Sequence, residues 1–279
     1  KWKMNDLIVD SLKKLKDARI SDPELDLRIL LNHCSIEKKN LILSNFNIKY
    51  VDLISFKNLL SERLERRSIA KIINKKYFWK YHFYVDDNVL DPRPETELII
   101  EEIIKNIKDK NKKIKVLDFG TGSACIAISI AKEYPNSKII ALDKSKKALE
   151  VAKKNIEFYN LSNQINLVNS SITKINEKFD LIVSNPPYLT ENQYNKTEDE
   201  IKKFEPKIAL LGGEDGLKFY KMFAKNLPKI MAKKSFFICE IGHKQYNSCK
   251  KIFENSNLKL IKSTRDLQKI VRTLTFSKI

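Results

Sequence analysis

No stretch of the chain holds the roughly 18 consecutive apolar residues that a membrane span requires. The opening residues, KWKMNDLIVD, have neither an apolar signal core nor a small-residue cleavage site. Both observations argue against a membrane-spanning or exported protein, and a cytoplasmic location is expected. Cysteine is scarce: Cys34, Cys125, Cys239 and Cys249 lie far apart, with no C-x-x-C pair and no neighbouring histidine cluster. This argues against a zinc site and a disulfide framework, no metal is expected, and the thiols are expected to be buried. Internal repeats and low-complexity linkers are also missing. Residue 1 is lysine, which is compatible with a sequence drawn from a longer polypeptide.

What is present is a chain of 279 residues, 42% hydrophobic, with a formal net charge of +18. That length allows one large domain and a smaller one. The charge fits direct nucleic-acid binding. It fits equally the Lys-, Asn- and Ile-rich bias of an AT-rich genome, since the basic residues are spread along the chain, and the two readings stay open.

Residues 1–80 read as a helical bundle. In SDPELDLRILLNHC, Ser21 stands three residues before Glu24 in capping-box spacing and Pro23 sits in the first turn. Leu25, Ile29, Leu30 and Leu31 follow at helical spacing, as do Leu53, Phe56, Leu60 and Leu64 in VDLISFKNLLSERLERR. His33 reads as a core residue. Residues 81–92, YHFYVDDNVLDP, predict a hairpin turning at Asp86-Asp87-Asn88. From residue 93 to 279, helical and strand patterns alternate. They predict an α/β fold: a doubly wound, seven-stranded Rossmann-like sheet, parallel except for a final hairpin, behind the small N-terminal bundle.

In such a sheet the ligand crevice lies at the carboxyl ends of the strands. There the first strand runs into VLDFGTGSAC, whose Gly120 and Gly122 let the turn approach a ligand while a helix beginning at Ser123 directs its free N–H groups there. A nicotinamide fingerprint would place a third glycine where Cys125 stands. Asp118 precedes the glycines and Asp143 ends the next strand, where an acid accepts ribose hydroxyls of an adenosine ligand. The alternative reading of Asp143 is a strand-end helix cap.

The fourth strand ends in DLIVSNPPYLT. It neighbours the first, so Asn185 is expected in the same crevice. Pro186 and Pro187 hold an extended path and remove backbone donors. The Asn185 oxygen and the Pro186 carbonyl can both accept from one –NH2 group, and Tyr188 can lie over the planar group that carries it.

With these residues the chain resembles amino-directed S-adenosylmethionine-dependent methyltransferases. DPRPETE at 91–97, FEPKIALLGGEDGLKFY at 204–220, EIGHKQ at 240–245 and RDLQKIVR at 265–272 make it similar to the release-factor glutamine methyltransferase family of the HemK or PrmC type, over essentially its whole length. The resemblance implies S-adenosyl-L-methionine as cofactor, held by Asp118, Gly120, Thr121, Gly122, Ser123, Ala124, Asp143, Ile172 and Asn185. It implies catalysis by Asn185, Pro186 and Tyr188, and substrate contacts from these three with Pro187 and Arg93. The implied substrate is the glutamine of the Gly-Gly-Gln loop in class-I peptide chain release factors. A monomer is expected, with the helical front end docking the substrate protein. The chain departs from the family pattern at Ser68 and Asn74, which replace a proline and a glycine, at Ala124, which replaces a glycine, and at Ser171-Ile172, which replace an acidic-aromatic pair.

Two rival readings use the same residues. Asn-Pro-Pro-Tyr also suits the exocyclic amine of adenine in DNA or RNA, although no target-recognition region is expected after the last strand. A non-catalytic ribosome or nucleic-acid binding protein on this fold is the other.

Overall fold

The computed structural model describes residues 6–36 and 48–278. Residues 1–5 and 37–47, expected within the helical bundle, and residue 279 lie outside the described residues. The chain divides into two compact units, Lys1–Lys75 with Glu198–Phe204, and Lys76–Thr197 with Glu205–Ile279.

The first unit contains α1 (Asp6–Asp17), α2 (Pro23–His33), α3 (Leu53–Leu64) and α4 (Ile69–Ile72). Asp22, and not Ser21, caps α2, its carboxylate accepting from the Leu25 N–H at 3.3 Å. Pro23 already occupies the first helical turn, so the residue before it must be the cap. The buried face of α2 is Leu27, Leu30, Leu31 and then Cys34. That is an i, i+3, i+4, i+7 set; the predicted Leu25 falls outside it and is exposed, as is His33. Phe56 and Leu60 of α3 are buried as expected, and so is Arg63. Arg63 Nε donates to Asp26 Oδ2 at 2.7 Å, and Nη1 donates to the Arg67 carbonyl at 2.9 Å and to Glu200 at 3.3 Å. Buried Lys71 donates to the Phe204 carbonyl, so residues 198–204 satisfy two cations of this unit. Two departures from the family pattern are accommodated locally. Ser68 caps α4 by accepting from the Lys71 N–H, and Asn74 adopts φ +50°, which asparagine tolerates better than most residues.

The second unit begins with a hairpin, β1 (Lys76–Phe78) and β2 (Tyr81–Phe83), turning at Trp79-Lys80. The hairpin expected at 81–92 therefore lies earlier. Tyr84 finds its partner in a side chain instead of a strand: its N–H donates to Asn155 Oδ1 at 2.7 Å, and Asn155 Nδ2 donates back to its carbonyl at 3.0 Å.

Beyond it come α5 (Glu97–Asn106), β3 (Lys115–Phe119), α6 (Cys125–Glu133), β4 (Lys138–Asp143), α7 (Lys146–Phe158), β5 (Ile165–Asn169) and β6 (Phe179–Ser184). Next are α8 (Glu191–Asn195), α9 (Asp199–Phe204, part of the first unit), α10 (Lys218–Ile230), β7 (Met231–Glu240), α11 (Tyr246–Glu254), β8 (Leu258–Arg265) and β9 (Val271–Lys278). The seven-stranded sheet has the order β5-β4-β3-β6-β7-β9-β8. It is parallel from β5 to β7, and β9 inserts antiparallel between β7 and β8. Both faces are covered: Val116 of β3 packs with α5 and α6 residues such as Ile99 and Ile128, whereas its neighbour Leu117 packs with α10 residues such as Phe223. This explains why β3 reads as an apolar run and not as an alternation. The strand order reverses between β3 and β6, which opens a crevice at their carboxyl ends. Among the described residues, no helix is long and apolar enough to cross a membrane.

Candidate active site

The turn after β3 is shaped by Asp143 at the end of β4. The Gly120 and Thr121 N–H groups donate to the Leu142 carbonyl at 2.8 and 3.0 Å. The Gly122 N–H donates to Asp143 Oδ2 at 3.0 Å, and the Ser145 N–H donates to Oδ1 at 2.9 Å. Burial pushes the Asp143 carboxyl up, and the bonds from Ser145, Gly122 and Lys144 oppose the shift. Gly122 has φ +54°, and a Cβ there would meet nothing within 4 Å, so the backbone faces open space where a ligand can approach it.

The β6 end is supported from behind. Ser184 pairs with Phe119 of β3 on one side and Cys239 of β7 on the other. The next residues, Gly120, Asn185 and Glu240, therefore stand at neighbouring strand ends. Asn185 Nδ2 donates to Thr96 Oγ1 at 2.9 Å, and that hydroxyl donates to Glu240 Oε2 at 2.5 Å. Tyr188 OH donates to Glu240 Oε1 at 3.3 Å, and Tyr220 OH donates to the Glu240 carbonyl at 3.1 Å. The backbone of Tyr188 is pinned by Gln245, whose Nε2 donates to its carbonyl at 3.1 Å. Gly216 lies so close, at φ +73°, that a Cβ would come within 2.5 Å of the Tyr188 oxygen. The LGGEDG and EIGHKQ segments thus hold the Asn-Pro-Pro-Tyr turn in place.

One cavity, partly open to solvent, joins the two turns. Of the residues singled out in the sequence, Gly120, Thr121, Gly122, Ser123, Asp143, Asn185, Pro187 and Arg93 line it. The other five do not. Asp118 is buried beneath the turn, accepting from Thr121 Oγ1 at 2.7 Å, and burial pushes it up to about 7. Ala124 is buried at φ +64° as the residue before α6, which starts at Cys125 and not at Ser123. Ile172 is buried in the core with Phe119 and Leu142, where its apolar side chain is best accommodated. Pro186 is buried at the strand end. Tyr188 is drawn away from the wall by its bond to Glu240.

Sequence reasoning missed Thr96, Glu240 and Glu205. Arg93 Nη2 donates to Glu205 Oε1 at 2.9 Å, which holds the guanidinium at the cavity wall. All three missed residues lie in the segments DPRPETE, FEPKIALLGGEDGLKFY and EIGHKQ, and Glu240 was also legible as an acid closing the strand beside β6.

The family description "Methyltransferase small domain" matches residues 93–204. The release factor glutamine methyltransferase of Thermodesulfovibrio yellowstonii is 34% identical over 252 residues, covering 90% of each chain. The bifunctional methyltransferase of Rickettsia typhi is 35% identical over 299 residues, covering all of this chain and 58% of its own length, so the chain spans little more than half of that relative. A methyltransferase structure from Pyrococcus furiosus matches with a TM-score of 0.53 at 20% identity, covering 80% of this chain and 100% of that one, a likeness of fold. With a helical unit ahead of a seven-stranded sheet, the glycine turn and Asn-Pro-Pro-Tyr on one cavity, and these identities over nearly its full length, the chain belongs to the release factor glutamine methyltransferase family.

Proposed function

We propose that the chain transfers a methyl group from S-adenosyl-L-methionine to the side-chain amide nitrogen of the glutamine in the Gly-Gly-Gln loop of class-I peptide chain release factors, in the cytoplasm. The observation that carries this reading is the polarity of Asn185. Its Nδ2 is committed to Thr96, which leaves Oδ1 as the acceptor for a substrate –NH2 beside the glycine turn.

The residues fit the cofactor. Both Asp143 oxygens accept from backbone N–H groups, and a carboxylate's remaining acceptor capacity is available to a ribose hydroxyl, while the open space at Gly122 admits a ligand against the backbone. When bound, S-adenosylmethionine supplies an electrophilic sulfonium methyl. Asn185 orients the substrate amide so that its nitrogen lone pair, otherwise delocalised into the carbonyl, points along the line of displacement. Accepting from the amide N–H at Asn185 Oδ1 places more electron density on that nitrogen. The methylated nitrogen is acidic enough to lose its proton to water. Among the described residues no histidine lines the cavity, and this route needs no dedicated base.

Asp143→Ala is expected to weaken S-adenosylmethionine binding by about 1.5–3 kcal/mol, the scale of hydrogen bonds to a charged acceptor. Asp143→Asn, which keeps an acceptor for the turn, should lose less. Calorimetry on folded variants checks this, and unchanged affinity would remove Asp143 from the cofactor site.

Mass spectrometry of a release factor incubated with the protein and S-adenosylmethionine tests the reaction itself. Transfer to adenine in nucleic acid, with none to the release factor, would replace this reading. The helical unit is assigned to gripping the body of the substrate protein, because one glutamine in a short loop offers little to recognise. Accordingly, kcat/KM for a short Gly-Gly-Gln peptide should fall at least about tenfold below that for the intact factor, as expected when a second contact is lost. Equal values would remove the docking role.

A further inference from the structure

We propose that Thr96 and Glu240 are positioning residues whose hydrogen-bond relay sets which end of the Asn185 amide faces the substrate, and hence whether the site can accept an –NH2 group. The inference rests on the acceptor role assigned to Asn185 above.

The relay has one consistent direction while Glu240 is ionised. A carboxylate can only accept, so the single Thr96 proton is committed to Oε2 at 2.5 Å. The Thr96 oxygen is then free only to accept, and it accepts from Asn185 Nδ2 at 2.9 Å. With the amide turned over, two oxygens would face each other. The polarity of a residue in the cavity is therefore written by an acid that lies behind it and is buried.

Protonation reverses the direction. A neutral Glu240 can donate to Thr96, whose own proton then turns to Asn185, and the amide minimises its energy by rotating to present Oδ1 inward and Nδ2 to the cavity. A site showing N–H groups no longer accepts an amide nitrogen. The groups facing Glu240 set where this happens. Burial raises its pKa to about 7, the bonds from Thr96 and Tyr188 and the charge of Arg272 lower it, and Glu95 raises it. Tyr220 bonds its carbonyl, and the Cys239 thiol lies within its field. Arg272 is itself paired to Asp266, Nε to Oδ2 at 2.9 Å. The raised pKa means that the active, ionised form is lost as pH falls through about 7, not through the ordinary carboxylate range.

The test uses the full chain with an intact release factor. Thr96→Val, which keeps the shape and removes the hydroxyl, should lower kcat at least about tenfold, the cost of misdirecting one hydrogen bond at a reacting group, and Thr96→Ser should restore it. The wild-type rate should fall with decreasing pH in a single ionisation near 7, and this limb should vanish in Glu240→Gln whatever the level of its rate. A Thr96→Val enzyme as active as wild type would overturn the proposal. So would a limb that persists in Glu240→Gln, which would place the ionisation elsewhere, for instance at Asp118. A wild-type chain that methylates no release factor would instead defeat the functional reading. The relay would then be decided by nuclear magnetic resonance: the Asn185 side-chain amide signal should shift with a midpoint near 7 in the wild type and not in Glu240→Gln, and an amide signal unresponsive to pH would overturn it.

Discussion

Replacing Asn185 by alanine is expected to lower the methyl-transfer rate at least about a hundredfold while leaving cofactor affinity nearly intact, the loss typical of deleting one preorganised polar group at a reacting centre. The asymmetry follows from placement. Asn185 directly follows β6, whereas Asp143 and Gly122, the groups assigned to the cofactor, belong to the β4 end and the turn after β3. The variant should fold, because the strand end is held by Ser184 Oγ on the Phe119 carbonyl and by the Gln245 contact to the Tyr188 carbonyl, neither of which involves the Asn185 side chain. Single-turnover rates and calorimetric cofactor binding check the split. Equal loss in both would make Asn185 a cofactor ligand first.

Arg63→Ala is expected to destabilise the helical unit by about 3–5 kcal/mol, the cost of breaking a buried ion pair by removing one partner. Arg63 and Asp26 are 5% and 8% exposed, so the carboxylate left behind could not recover its hydration. The same substitution strips Glu200 of its bond and frees the Arg67 carbonyl. Replacing both partners, as Arg63→Met with Asp26→Leu, should cost far less, because no charge is then left buried. Hydrogen exchange of the α2 and α3 amides measures the stability of this unit directly. A loss below about 1 kcal/mol in Arg63→Ala would mean that water reaches Asp26, as for an exposed pair.

The strand and helix alternation after residue 93 was legible because each strand is a short apolar run between turn signals, and periodicity survives without knowledge of partners. The hairpin was misplaced by a local signal, Asp86-Asp87-Asn88, that does form a turn, with the Asn88 N–H donating to Asp86 Oδ1. Whether that turn joins two paired strands depends on Asn155, 71 residues away from Tyr84. On α2, Leu30 and Leu31 are buried as expected, but Leu27 and not Leu25 begins the buried face, since LDLRILL offers more than one apolar stripe and packing chooses among them.

Residue types and their spacing already place an acid beside a glycine turn, the groups proposed for the cofactor, and an asparagine between a strand and two prolines, the group proposed for an amino nitrogen. These depend on residue type and spacing within single segments, so they are written locally. Which residues make the cavity wall and which stand behind it depends on contacts between distant segments. Asp118, Ile172 and Tyr188 withdrew from the wall because a buried hydrogen bond or an apolar core suited them better. Thr96, itself on the cavity wall, and Glu240 behind it, 144 residues apart, came together at Asn185. Strand register is a long-range property, set by how whole faces pack, and it is the register of β6 against β7 that sets Glu240 beside Asn185.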